Sequence, residues 1–167
     1  MSDRRRAGVG VGGPTAAAIL LLACACSGRP AEPLPIIPLP ENLPPPADAL
    51  EARLRERAPT EAALLVPDGP AFRATLAPGD RRTFTAVLRA GVCYKVLGGA
   101  EETVTDLDVL VYDPNNVLAQ RDTTVGRELV IGSERGICPS DAGAWRFELV
   151  ATGGEGAVIA QLWRMPM

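Results

Sequence analysis

The stretch LDVLVYDPNNVLAQRD, Leu107–Asp122, decides the fold. Leu107, Val109 and Val111 fall at every second position, so in an extended chain they share one face. Asp113, Pro114, Asn115 and Asn116 then gather the residue types that make turns, and Val117–Asp122 reads as a second strand. The same rhythm runs outward in both directions. Further strands are expected at Ala71–Leu76, Arg82–Arg89, Val92–Leu97, Glu128–Ile131, Ala144–Ala151 and Ala157–Arg164. Phe84, Ala86 and Leu88 alternate in one of them, as do Val92, Tyr94 and Val96 in the next and Trp145, Phe147 and Leu149 near the end. Turn residues separate the strands, among them Ala77, Pro78, Gly79 and Asp80, and Gly153–Gly156, which reads as a terminal hairpin. The expectation is an all-β domain over residues 67–167, a jelly-roll-like antiparallel β-sandwich of about eight strands.

Upstream, the segment 48–66 opens with a short helix, Asp48–Ala58. Asp48 stands as N-cap, Glu51 follows three residues later as in a capping box, and Pro59 is read as the stop. Leu50 and Leu54 give it one narrow apolar stripe, enough to dock on the following domain but little for a separate partner. Before it, Arg29–Ala47 holds eight prolines in nineteen residues. Such a chain favours polyproline II and offers few ladder donors, so residues 24–47 read as a linker, reaching about 3.1 Å per residue when extended.

The first residues read as an export address. Arg4, Arg5 and Arg6 precede an uncharged stretch, Ala7–Ser27, with its apolar centre at Ala16–Ala23. Leu21, Leu22, Ala23 and Cys24 resemble the bacterial lipobox, although Leu22 is bulkier than the usual residue at its position. That resemblance implies cleavage after residue 23, a signal peptide at 1–23, and a diacylglyceryl thioether on Cys24. Cys26 is a poorer match, because the residues before it are Ala23, Cys24 and Ala25. An uncleaved transmembrane anchor is the alternative, but Gly12, Gly13 and Pro14 cut the apolar run short of the roughly 20 residues a span needs. Ala25 after the lipidated cysteine resembles the enteric sorting signal for the outer membrane. The expected location is the bacterial cell envelope, with the outer membrane or cell surface favoured over the inner membrane.

Charge and composition remove several function classes. The chain carries a net charge of −3, so it lacks the basic field of a nucleic-acid binder. It contains no histidine, which removes His-based triads and His-ligated metals. Cys93 and Cys138 are an even pair in a chain read as exported, and a disulfide is the expectation, with a reduced pair as the alternative. Asp106 and Asp108 flank Leu107, so their carboxylates are expected on the face away from the core, with Asp122 close by. Those three are the candidate ligands for Ca²⁺, which prefers crowded oxygens. The competing reading is a solvated acidic face whose aspartates cap turns. Tyr112 and Trp163 are the aromatics whose alternation permits an exposed platform, or equally the cover of an edge or a helix.

Gly91, Cys93 and Tyr94, then Asp106-Leu107-Asp108, Tyr112-Asp113, Asp122, Gly143 with Trp145, and the closing strand from Gly156 resemble bacterial pre-peptidase C-terminal domains and related collagen-binding-like sandwiches. The likeness spans residues 70–167. It implies a jelly-roll sandwich, a Gly-x-aromatic strand paired with the last strand, and an accessory module of the kind that binds polymers or calcium. In this sequence no protease domain precedes the module, which stands alone behind its anchor. The functional expectation is a membrane-anchored envelope lipoprotein presenting a non-catalytic binding or structural module. Its partners would be the membrane, through the lipid, and an envelope polymer, glycan or protein. No cofactor beyond the candidate Ca²⁺ is expected. A small carboxylate-dependent hydrolase acting through Asp106 and Asp108 is the alternative.

Overall fold

A computed structural model describes residues 44–166. The expected signal peptide at 1–23, the expected lipidation site Cys24 and the part of the expected linker up to residue 43 lie outside the described residues. The chain runs through a helix, α1 (Ala49–Glu61), and nine strands: β1 (Val66–Pro67), β2 (Phe72–Leu76), β3 (Arg81–Leu88), β4 (Tyr94–Ala100), β5 (Val104–Tyr112), β6 (Leu118–Asp122), β7 (Glu128–Ile131), β8 (Gly143–Gly154) and β9 (Gly156–Arg164). All pairings are antiparallel. One sheet has the order β1-β9-β4-β7, with β2 also paired to β9, and the other has the order β3-β8-β5-β6. From β2 onward every connection crosses between sheets except the β5–β6 hairpin. The two paths β2-β9-β4-β7 and β3-β8-β5-β6 give the jelly-roll arrangement expected from the sequence.

The alternating residues meet between the sheets. Leu88, Val96, Leu107, Val109, Val111, Phe147 and Leu149 are all buried in one cluster. Few aromatics are available, and three phenylalanines are stacked in series, Phe72 on Phe84 at 4.7 Å and Phe84 on Phe147 at 4.8 Å between centroids. Gly98 faces this core from β4, where an added Cβ would stand 2.8 Å from Leu129 and 2.9 Å from the Ile159 carbonyl oxygen. The strand β4 therefore continues through Gly98 and Gly99 to Ala100, beyond the expected end at Leu97.

Helix α1 covers the outer face of the β9-β4 sheet. Leu50, Leu54, Ala58 and Ala62 pack with Leu97, Ile159 and Trp163 in a second buried cluster. With both faces covered, β9 loses the simple alternation of a half-exposed strand and reads Ala-Val-Ile-Ala-Gln-Leu-Trp. Polar contacts fix the seat of the helix. Arg57 Nη1 donates to Gly98 O at 2.7 Å, Arg53 Nη2 to Ala100 O at 2.9 Å, and Lys95 Nζ to Glu61 O at 2.9 Å. Lys95 is the chain's single lysine, and it caps the carbonyl end of the helix, where a cation is favoured. Asp48 Oδ1 accepts from Glu51 N as expected of the N-cap.

Pro59 does not stop the helix, which continues to Glu61. Proline removes one helical donor, but the burial of Ala58 and Ala62 and the Lys95 cap hold the last turn in place. The segment Gly153–Gly156 is not a hairpin either. It carries the chain from one sheet to the other, since β8 pairs with β3 and β5 while β9 pairs with β1, β2 and β4. Gly154 has φ +73°, and a Cβ there would meet the Thr103 carbonyl oxygen at 2.0 Å. The crossing thus needs glycine for conformation and for space. The Gly143-Ala144-Trp145 segment pairs with Leu88, Val87 and Ala86 of β3, not with the last strand.

Candidate functional site

The candidate carboxylates sit on β5 and β6, but they do not form one ligand set. Leu107 is buried, and Asp106 and Asp108 on either side of it are half-buried toward the outer face, as alternation requires. Two register shifts surround Asp106, which place its Oδ1 where it accepts from Gly126 N at 3.0 Å. Asp122 is directly opposite Val109 in the β5–β6 ladder and so shares the inward-facing side. Its Oδ2 accepts from Val130 N of the other sheet at 3.0 Å, and its Oδ1 from Thr124 N at 3.0 Å. The expectation that Asp122 joins Asp106 and Asp108 on one outward face is therefore corrected by strand register. Among the described residues no group of three or more His, Cys, Asp or Glu side chains is placed to hold a metal ion. Asp108 has no donor or cation paired with it among the described residues. Burial first, then the charges of Asp106 and Asp122, push its carboxyl above the ordinary aspartate range.

Among the described residues no helix lies over the outer face of β3-β8-β5-β6. Strand register arranges its side chains in rows: Thr83, Glu148, Leu110 and Arg121 in one, and Thr85, Arg146, Tyr112 and Leu118 in the next. Glu148 is the centre of this face and is only 8% exposed. Arg81 Nη1 donates to its Oε1, and Arg146 Nη1 donates to its Oε2 at 2.8 Å. The Arg81 hydrogen bond leads in holding the Glu148 carboxyl below the usual glutamate range. Burial opposes it, and Arg146 adds to the lowering. Arg146 also lies 3.7 Å over the Tyr112 ring and donates to Asn116 Oδ1 through Nε and Nη2. Asn116 reaches that position because it closes the β5–β6 turn with φ +66°, next to Asp113, whose Oδ1 accepts from Asn115 N and Val117 N. The result is a paired charged array with Thr83, Thr85 and Val87 exposed beside it. Val87 is 70% exposed.

Of the two aromatics singled out from sequence, only Tyr112 contributes to a surface. Trp163 is 1% exposed and lies under α1, the cover of a helix rather than a platform. Sequence reasoning missed Glu148 and Arg146 altogether. Their signal was present in the polar positions that alternate with Trp145, Phe147 and Leu149 on β8.

Cys93 and Cys138 form the expected disulfide, with Cα atoms 4.2 Å apart. Tyr94 and Ile137 exchange both backbone hydrogen bonds at 2.8 Å, so the neighbouring Cys93 and Cys138 fall at a non-hydrogen-bonded pair, where opposed side chains are closest. The bridge fastens the loop that follows β7 to the start of β4. No protein-family model and no curated protein matches the chain.

Proposed function

We propose that the protein is a lipid-anchored envelope protein whose β-sandwich is a non-catalytic binding module, and that it engages an envelope polymer or protein through the outer face of β3-β8-β5-β6. One observation carries this reading. Helix α1 seals the outer face of one sheet, whereas nothing among the described residues covers the other face, which has its charges paired in advance around Glu148. A surface ordered before contact loses less side-chain freedom on binding. The lipobox-like Leu21–Cys24 and the proline-rich linker support the anchor and the spacing from a membrane. The Cys93–Cys138 bridge supports an oxidising compartment.

The test uses the full-length protein incubated with purified cell-wall polymer and with vesicles of the source envelope. Thr85→Arg and Val87→Asp change exposed positions beside the array without removing a buried group. Retention by the parent protein and its loss, about tenfold or more, in both variants at unchanged Tm is the expected result. Equal retention of parent and variants contradicts the face assignment.

A further inference from the structure

The sandwich is open between β2 and β3. Among the described residues β2 pairs only with β9 and β3 only with β8, so no ladder closes this side. Phe72 stacks on Phe84 across the opening. Between β1 and β2 the chain also leaves the edge of β9, because β1 ends opposite Trp163 and β2 starts opposite Ala160. Asp68 N donates to Leu162 O at 2.8 Å and Gln161 Nε2 to Gly69 O at 3.0 Å, which hold the detour in place. Here lies a groove of about 430 Å³, lined by Ala71, Phe72, Phe84, Ala86, Ala160 and Leu162. Phe84 and Ala86 alternate with Thr83, Thr85 and Val87, so they face away from the array around Glu148. Thr85 also borders the groove, and Val87 belongs to the open face alone.

The described chain begins beside this groove. Arg73, which is part of its lining, pairs with Asp48 and with Glu51. Glu51 Oε2 accepts from Ala47 N at 3.3 Å, and Pro44 O accepts from Arg55 Nη1, whose other nitrogen pairs with Glu51. One connected set of contacts thus runs from the groove to Pro44. The residues just before it, Leu34–Leu43, read Leu-Pro-Ile-Ile-Pro-Leu-Pro-Glu-Asn-Leu. Proline alone makes a spacer, and the large aliphatic side chains interleaved with it add nothing to that role. At three residues per polyproline II turn, Leu34, Ile37, Pro40 and Leu43 recur on one side. At about 3.1 Å per residue, the path from Pro44 back to Ile37 spans roughly 22 Å.

We propose that Leu34–Leu43 docks in this groove, its apolar side against Phe72 and Phe84. Aromatic-lined grooves suit proline-rich segments, whose backbone has little freedom left to lose. Attachment in the same chain supplies an effective concentration of millimolar order, so an intrinsic affinity of about 1 mM already fills the groove half the time. Docking takes these residues out of the spacer, and the groove then sets how far the sandwich stands from a membrane. That consequence rests on the lipid anchor of the proposed function, and the docking itself does not.

The experiment uses the full chain in detergent with the photoreactive residue benzoylphenylalanine in place of Ile37. Irradiation is followed by digestion and mass spectrometry. The expected product is a crosslink within one chain, to the peptides that hold Phe72 and Phe84. Its yield is expected to fall about fivefold or more in Leu34→Asp/Leu43→Asp, which leaves the sandwich intact, as the lost apolar contacts require. Ala86→Glu, which puts a charge among the groove residues, is expected to give the same loss at unchanged Tm. If Ala86→Glu does not fold, the variants at Leu34 and Leu43 decide alone. Val87→Asp is expected to leave the yield unchanged, which separates the groove from the open-face reading. A crosslink that joins two chains overturns the assignment of the occupant in favour of a second copy. Crosslinks spread over the sandwich, no crosslink at all, or an undiminished yield in Leu34→Asp/Leu43→Asp overturns the docking.

Discussion

Asp108 and Glu148 are carboxylates in neighbouring strands whose surroundings act in opposite directions. Burial and two like charges disfavour ionised Asp108, so it opposes folding at neutral pH. That penalty is absent below the ordinary aspartate range, develops as pH rises through the raised folded value, and is complete above it. Asp108→Asn is therefore expected to stabilise the protein by up to about 1 kcal/mol at neutral pH, and the gain to vanish in acid, as read by urea titration at both pH values. Glu148 behaves the other way, because two arginines hold its charged form. Its contribution is complete above the ordinary glutamate range and is lost as pH falls through the lowered folded value. Glu148→Gln is expected to cost about 1–3 kcal/mol at neutral pH and to flatten the acid limb of the stability profile. A Glu148→Gln profile that parallels the parent's throughout would contradict the assignment. The outward direction of Asp106 and Asp108 was legible from Leu107 alone. The direction of Asp122 was not, because it depends on which residue of β5 it faces, and alternation within one strand does not set register with another.

The strands were legible because their apolar residues repeat every second position and their ends carry turn residues. What sequence could not supply was which strand lies beside which. Gly153–Gly156 has hairpin composition, yet Gly154 serves a crossing between sheets pressed against Thr103. Pro59 likewise has the composition of a helix stop, and tertiary packing of Ala58 and Ala62 overrides it. The helix depends on that packing, since a segment of this length is marginal alone. Leu54→Ala removes a side chain that is 3% exposed and is expected to cost about 2–5 kcal/mol in denaturant unfolding. A cost near zero would mean that α1 is not seated on β4 and β9. Gly98→Ala is expected to destabilise by about 1–3 kcal/mol, because the added methyl meets Leu129 and the Ile159 carbonyl.

At the scale of the whole molecule, a sandwich poor in aromatics is closed by one covalent bridge across 45 residues of sequence. Replacing both Cys93 and Cys138 by Ala is expected to lower stability by up to about 4 kcal/mol, most of it through the unfolded chain. Thermal unfolding with and without reductant gives the same comparison, and the Ala pair should show no response to reductant. Where this module resides is decided by the intact mass of the protein extracted from native membranes. The expected result is a chain beginning at Cys24, heavier by a diacylglyceryl group and an N-acyl chain, and lighter by two hydrogens for the Cys93–Cys138 bridge. A chain beginning at Met1, without acyl groups and with every thiol free, would contradict it.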